Sequence, residues 1–183
     1  MISLADFQAR IEQGALLPDA AIGQSLEAIR AQDNAIGAFV RHDPRARAQT
    51  AGPLRGIAVG IKDIIDTADF PTEMGAAIYR GHQPRADAPV VMALKQAGAT
   101  IIGKTTTSEF GCKAVGNSPL TGITRNPWDL SRTPGGSSAG AAASVAAASI
   151  RRKSERDDNA ASMEPETSTK IIVVPSNCGT SAM

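Results

Sequence analysis

With 183 residues, 19 of them basic and 18 acidic for a net charge of +1, the chain has the length of one or two domains and no field to attract nucleic acid or an anionic membrane. Aromatic residues make up 3% and alanine abounds, so the interior is expected to pack small and aliphatic side chains with its elements lying close together. Cys112 and Cys178 are too few for a disulfide framework and share no zinc-site spacing, which leaves reduced thiols. No secretory apolar run follows Met1 and no stretch is long enough to span a bilayer, so the chain reads as cytoplasmic.

Residues 1–50 read as packing helices. Ser3 can cap a short helix ending near Gly14, and "QSLEAIRAQDNAIGAFV" sets Leu26, Ile29 and Ile36 at helical spacing. After the break "PRARAQTAGPLRG", Ile57, Val59 and Ile61 alternate with Ala58 and Gly60 as in a strand. Asp87 stands before "APVVMALKQAG" as a helix start, with Pro89 in the first turn and Gly98 as a left-handed terminator. "ATII" then reads as a short buried strand, and strand, helix, strand in this order predicts an α/β arrangement. From Gly103 to Gly136 glycine, proline and threonine recur without a sustained period, the mark of a long functional loop. It ends at "TPGGSSAGAAASVAAAS", a glycine turn followed by an alanine-rich helix. Beyond Ile150 the composition turns charged and nearly loses large apolar residues, which reads as disorder or a boundary, with "IIVVPS" as a lone strand.

Three features bear on chemistry. Gly98, four residues, then Gly103-Lys104-Thr105 satisfies a phosphate-binding pattern, but a helix precedes it and the intervening "ATII" is β-branched and apolar, which argues against nucleotide. Lys62 closes an almost uncharged strand; it is either a snorkelling surface lysine or, if held among apolar groups, a neutral amine able to act as a base. Gly135 and Gly136 permit backbone forbidden to other residues and present N–H groups beside a helix start, where Ser137 or Ser138 can serve as a plain N-cap or be held for chemistry.

Taken together, Lys62 and the Gly-Gly-Ser-Ser turn resemble the amidase signature family, the Ser–Ser–Lys amide hydrolases that include the A subunits of tRNA-dependent amidotransferases. "GPLRGIAVGIKDIIDT", "ADAPVVMALKQAGATIIGKTTTSEFG", "GITRNPWD" and "PGGSSAGAAASVAAA" fall in the family's order and at its distances, from about Asn34 to Ile150. The resemblance implies an α/β fold with a mixed sheet flanked by helices, here incomplete, and acyl transfer through a Ser-Ser-Lys triad. It implies no metal and no organic cofactor, a small-molecule amide as substrate, and ammonia as leaving group for a primary amide. On this pattern Lys62 is the buried unprotonated base, and Ser137, held by a cis peptide, relays the proton. Ser138 supports the same network, and Gly135 and Gly136 shape the turn beside the substrate. Thr107, Ser108 and Asn117 sit in the loop that lines the family's cleft.

The departure comes at the nucleophile. The family carries a block of the form D-T-G-G-S about two dozen residues after the bridging serine. Here that distance reaches "DDNAAS", whose Ser162 is the candidate, as a degraded copy with a one-residue insertion or as a chance match. Alanines stand where the family has glycines, and "RRKSERDDN" replaces an apolar strand, so residues 51–150 read as the N-terminal part of the domain and 151–183 as a divergent tail of a truncated or frame-disrupted member. An incomplete sheet leaves an open edge and an uncovered apolar face, which favours association with a partner or with itself. His42 and His82 lie in polar loops without a carboxylate motif, and Cys112 reads as a packing residue near the site.

Overall fold

The computed structural model describes residues 4–147 and 171–174, the last four as backbone. Helix α1 (Leu4–Glu12) is followed by α2 (Pro18–Ile36), which enters on Pro18 in its first turn and ends at Gly37 in the left-handed region, φ 64°. The Asp33 carboxylate accepts the N–H groups of Ala38 and Phe39, so the helix end is tied directly to strand β1 (Phe39–His42). This strand is a difference from the all-helical expectation for residues 1–50: four residues with intermediate burial carry too short a pattern to announce themselves. Ser3 lies outside the described residues.

Strands β1, β2 (Ala58–Lys62), β3 (Thr100–Thr105) and β6 (Ile171–Val174) form one mixed sheet in the order β1-β3-β2-β6. β1 runs antiparallel to β3, while β2 is parallel to both β3 and β6. All five residues of β2 are buried, as a central strand covered on both faces requires. "IIVV" is therefore no lone strand: it is the neighbour of β2, with Val174 opposite Ile61.

Helix α3 (Pro89–Gln96) makes the β2-to-β3 connection, and Gly98, φ 87°, ends it as expected. Its start is a correction. The N-cap position is Ala88, and the Asp87 carboxylate accepts the Ala68 N–H at 2.7 Å and the Lys95 ammonium at 2.6 Å. Between β3 and the last described helix the chain makes a two-strand hairpin of β4 (Asn117–Ser118) and β5 (Gly122–Ile123). Helix α4 covers residues 139–147.

One sheet face packs Ile57, Val59 and Ile61 against Phe7, Ile11 and Val91 of α1 and α3. The other packs Ala58 and Ile102 against Ile22 and Ile29 of α2. Ala143 and Ala147 of α4 meet Ile36 and Ala38. Small side chains are needed there because α4 approaches the backbone just before β1 and just after β3: the Gly140 N–H donates to Thr106 O at 3.1 Å, and a Cβ on Gly140 would collide with Ala38 O and with Thr106. Among the described residues no helix is long and apolar enough to cross a membrane.

Candidate active site

Lys62 is the last residue of β2 and 1% exposed. Its side chain leaves the sheet on the face that carries α4, and Nζ donates a hydrogen bond to Ser137 Oγ at 2.7 Å. The alternative of a snorkelling surface lysine is thereby removed. Ser137 follows a cis peptide from Gly136, and Ser138 stands at the head of α4, its carbonyl accepting the Ala142 N–H.

The glycine turn is shaped by what lies behind it. Gly135 has φ 89°, and a Cβ on Gly136 would sit 2.5 Å from Val115 O. Thr133 Oγ1 accepts the Gly116 N–H at 3.0 Å, fastening the turn to the loop after β3. On the other side of Ser137 stands Gly111, φ 70°; a Cβ there would lie 3.4 Å from Ile64 Cδ1 and 3.7 Å from Ser137 Oγ. Ile64 also borders an open cleft of about 800 Å³ whose rim includes Asp66, His82 and Arg85. Ser137 does not line that cleft; it is itself half-buried at the head of the glycine turn.

The loop residues divide. Thr107 is buried and its Oγ1 has no hydrogen-bond partner. Asn117 is exposed on β4, one residue beyond the Gly116 contact with the turn. Ser108 is fully buried, and its hydroxyl donates to Lys113 O and accepts the Lys113 N–H, closing the loop on itself. Cys112 is exposed, so it is not a packing residue. Ser162 lies outside the described residues.

Sequence reasoning missed a second buried lysine. Lys104 is 0% exposed; Nζ donates to Thr72 Oγ1 at 2.6 Å and Ile65 O at 2.8 Å, and lies 3.5 Å from Asp63 Oδ1. This engagement, rather than a phosphate, is what the Gly-Lys-Thr triplet serves. Burial pushes the Asp63 carboxyl up to about 6 against the pull of Lys104, and burial lowers Lys104 against the pull of Asp63. Behind them Glu73 pairs with Arg41 at 2.6 Å and accepts the Gly81 N–H. Although its own burial opposes it, those contacts hold Glu73 below the ordinary carboxylate range. The available signal was an apolar run, "ATIIG", that ends on a lysine just as "GIAVGI" does. Among the described residues no cluster of His, Cys, Asp and Glu could hold a metal ion.

The family model for Amidase matches residues 20–151. The A subunit of glutamyl-tRNA(Gln) amidotransferase from Rhodopirellula baltica is 38% identical over 149 residues, covering 74% of this chain and 30% of that protein. Among solved structures, its counterpart from Thermotoga maritima superposes with a TM-score of 0.68 at 35% identity, over 81% of this chain and 33% of that one. Peptide amidase of Stenotrophomonas maltophilia gives 0.70 at 33% identity, over 79% and 34%. The chain spans about a third of the length of these relatives. A buried lysine on a serine of a glycine turn, within a mixed α/β sheet of this topology, is thus accompanied by matching sequence over most of the described chain, which belongs to the amidase family.

Proposed function

We propose that the chain carries the proton-relay half of an amide hydrolase in which Lys62, acting through Ser137, activates a serine nucleophile for acyl transfer. The observation that carries this is the 2.7 Å hydrogen bond between Lys62 Nζ and Ser137 Oγ with the lysine 1% exposed. Burial favours the uncharged amine, and a neutral lysine accepts a proton. Lys62 takes the Ser137 proton as Ser137 takes that of the nucleophile, whose oxygen attacks the amide carbon. The C–N bond then breaks, and the leaving nitrogen receives the proton back along the same path, departing as ammonia from a primary amide. Water resolves the acyl-serine. Ser162 is the nucleophile in this scheme, and backbone N–H groups near it stabilise the oxyanion.

Incubation with a simple aromatic primary amide, following ammonia, tests the scheme. Turnover is expected in the native chain and lost in Lys62→Ala, Ser137→Ala and Ser162→Ala; a fluorophosphonate label is expected on Ser162 by mass spectrometry. Turnover that persists in Ser162→Ala, or a label on another residue, removes Ser162 from the scheme.

A second reading is a non-catalytic chain that associates through a sheet edge, β1 being an outer strand of the order β1-β3-β2-β6. Absence of turnover together with self-association in analytical ultracentrifugation would favour it.

A further inference from the structure

Lys104 is buried as deeply as Lys62 yet has no part in the proton path. Strict alternation from Ile102, on the α2 face of the sheet, would send Lys104 to that same face, where Lys62 points. The register shows why it goes elsewhere. Val59 stands opposite Ile101 but Gly60 opposite Gly103, so Ile102 is the extra residue of a β-bulge. Past the bulge Ile61 is opposite Lys104 and Lys62 opposite Thr105. Paired residues share a face, so the two lysines leave neighbouring strands, at the same end, on opposite sides.

On its own side Lys104 Nζ meets Asp63 Oδ1, Ile65 O and Thr72 Oγ1, all on the chain that leaves β2 directly after Lys62. Asp63 is held further: its N–H donates to Thr105 O at 3.0 Å, its carbonyl accepts the Met74 N–H at 2.8 Å, and its carboxylate accepts the Glu73 N–H at 3.3 Å. The residue next to Lys62 is therefore fixed through backbone donor, backbone acceptor and side chain. A lysine amine stands at the end of four rotatable bonds, so a shift at its root is carried to Nζ, and displacements of about 1 Å at a reacting group cost up to about a hundredfold in rate.

We propose that Lys104 is a positioning residue for Lys62: turned away by the bulge at Ile102, its ammonium ties the turn after β2 to the sheet end and so presents the Lys62 amine to Ser137. The inference rests on the assignment of Lys62 as base. The charged groups facing Lys104 are Asp63, Asp66 and Arg41, with Glu73 beyond Asp63.

Lys104→Met alone would strand the Asp63 carboxylate, so the test variant combines it with Asp63→Asn, which keeps an acceptor for the Glu73 N–H and leaves neither half of the pair charged. Thr72→Val removes one leg of the tripod without changing side-chain shape and serves where the double variant does not fold. Protein labelled with ¹³C at lysine Cε is titrated by NMR, the Lys62 signal being identified by its loss in Lys62→Ala. The Lys62 midpoint is expected to rise in the double variant, and by less in Thr72→Val. Amide turnover is expected to fall about tenfold or more in kcat with KM retained. A folded double variant, or a folded Thr72→Val, with an unshifted Lys62 midpoint overturns the proposal. Failure of the base assignment reads differently: the native protein then releases no ammonia, or turnover survives Lys62→Ala, whatever the midpoints do.

Discussion

Gly140 and Thr106 are in backbone contact: the glycine N–H donates to the threonine carbonyl at 3.1 Å, and no side chain fits between them. The contact presses the first turn of α4 onto the segment following β3 and so sets the height at which Ser137 stands over Lys62. Gly140→Ala is expected to destabilise the fold by about 3 kcal/mol, the upper part of the range for overpacking, because the atoms it meets are largely backbone and cannot turn aside. Urea denaturation should show the midpoint falling. Ala142→Ser, at an exposed position of the same helix, should leave it nearly unchanged.

Asp63 gives the protein a stability term that declines with pH. Its folded carboxyl is raised to about 6, so between the unfolded value near 4 and that point the native state holds a proton which the unfolded chain has released. The contribution is present below about 4 and lost as pH rises through about 6. Denaturation midpoints collected from pH 4 to pH 7 should contain this falling component. Asp63→Asn should remove it and flatten the curve over that window.

Gly111 stands next to Ser137. Gly111→Ala places a methyl close to Ile64 Cδ1 and the Ser137 hydroxyl, and also forces alanine to a φ of 70°. The backbone strain is expected to cost about 1 kcal/mol of stability. Amide turnover and fluorophosphonate labelling are expected to fall by more than that loss of folded protein explains, since the new methyl stands 3.7 Å from the Ser137 hydroxyl.

Asp87 distinguishes a cap from an anchor. Were it an N-cap, Asp87→Ser would be nearly neutral. Because its carboxylate instead joins Ala68 to Lys95, serine cannot span both, and a loss of about 1 kcal/mol is expected from thermal unfolding. Added salt should reduce the difference between the two proteins, as only the Lys95 contact is ionic and Lys95 remains partly exposed.

Much of the sheet was legible because its strands are apolar runs between turn residues: β2 and the start of β3 follow directly from "GIAVGI" and "ATII". What escaped depended on tertiary partners. β1 is held by Asp33 and β3, neither of which a four-residue window contains. The bulge at Ile102 is a property of a pair of strands, so a lysine that alternation assigns to one face is found on the other, beside Asp63. At the site, Lys62 and Ser137 were recognisable through resemblance to a family, and their mutual distance was not in the sequence. The same loop that suggested Ser108 as a ligand contact uses its hydroxyl internally, as short polar side chains in glycine-rich turns commonly do.

The parallel pairing of β2 with β6 carries a kinetic consequence. The strand that ends in Lys62 acquires its neighbour on that side only when Ile171–Val174 has been synthesised, long after β2 itself has left the ribosome. Pairings so remote along the chain form slowly because a large loop must close first, and until then β2 presents unsatisfied N–H and C=O groups to any extended segment nearby. The nascent protein is therefore most exposed to mispairing at the strand that later delivers Lys62.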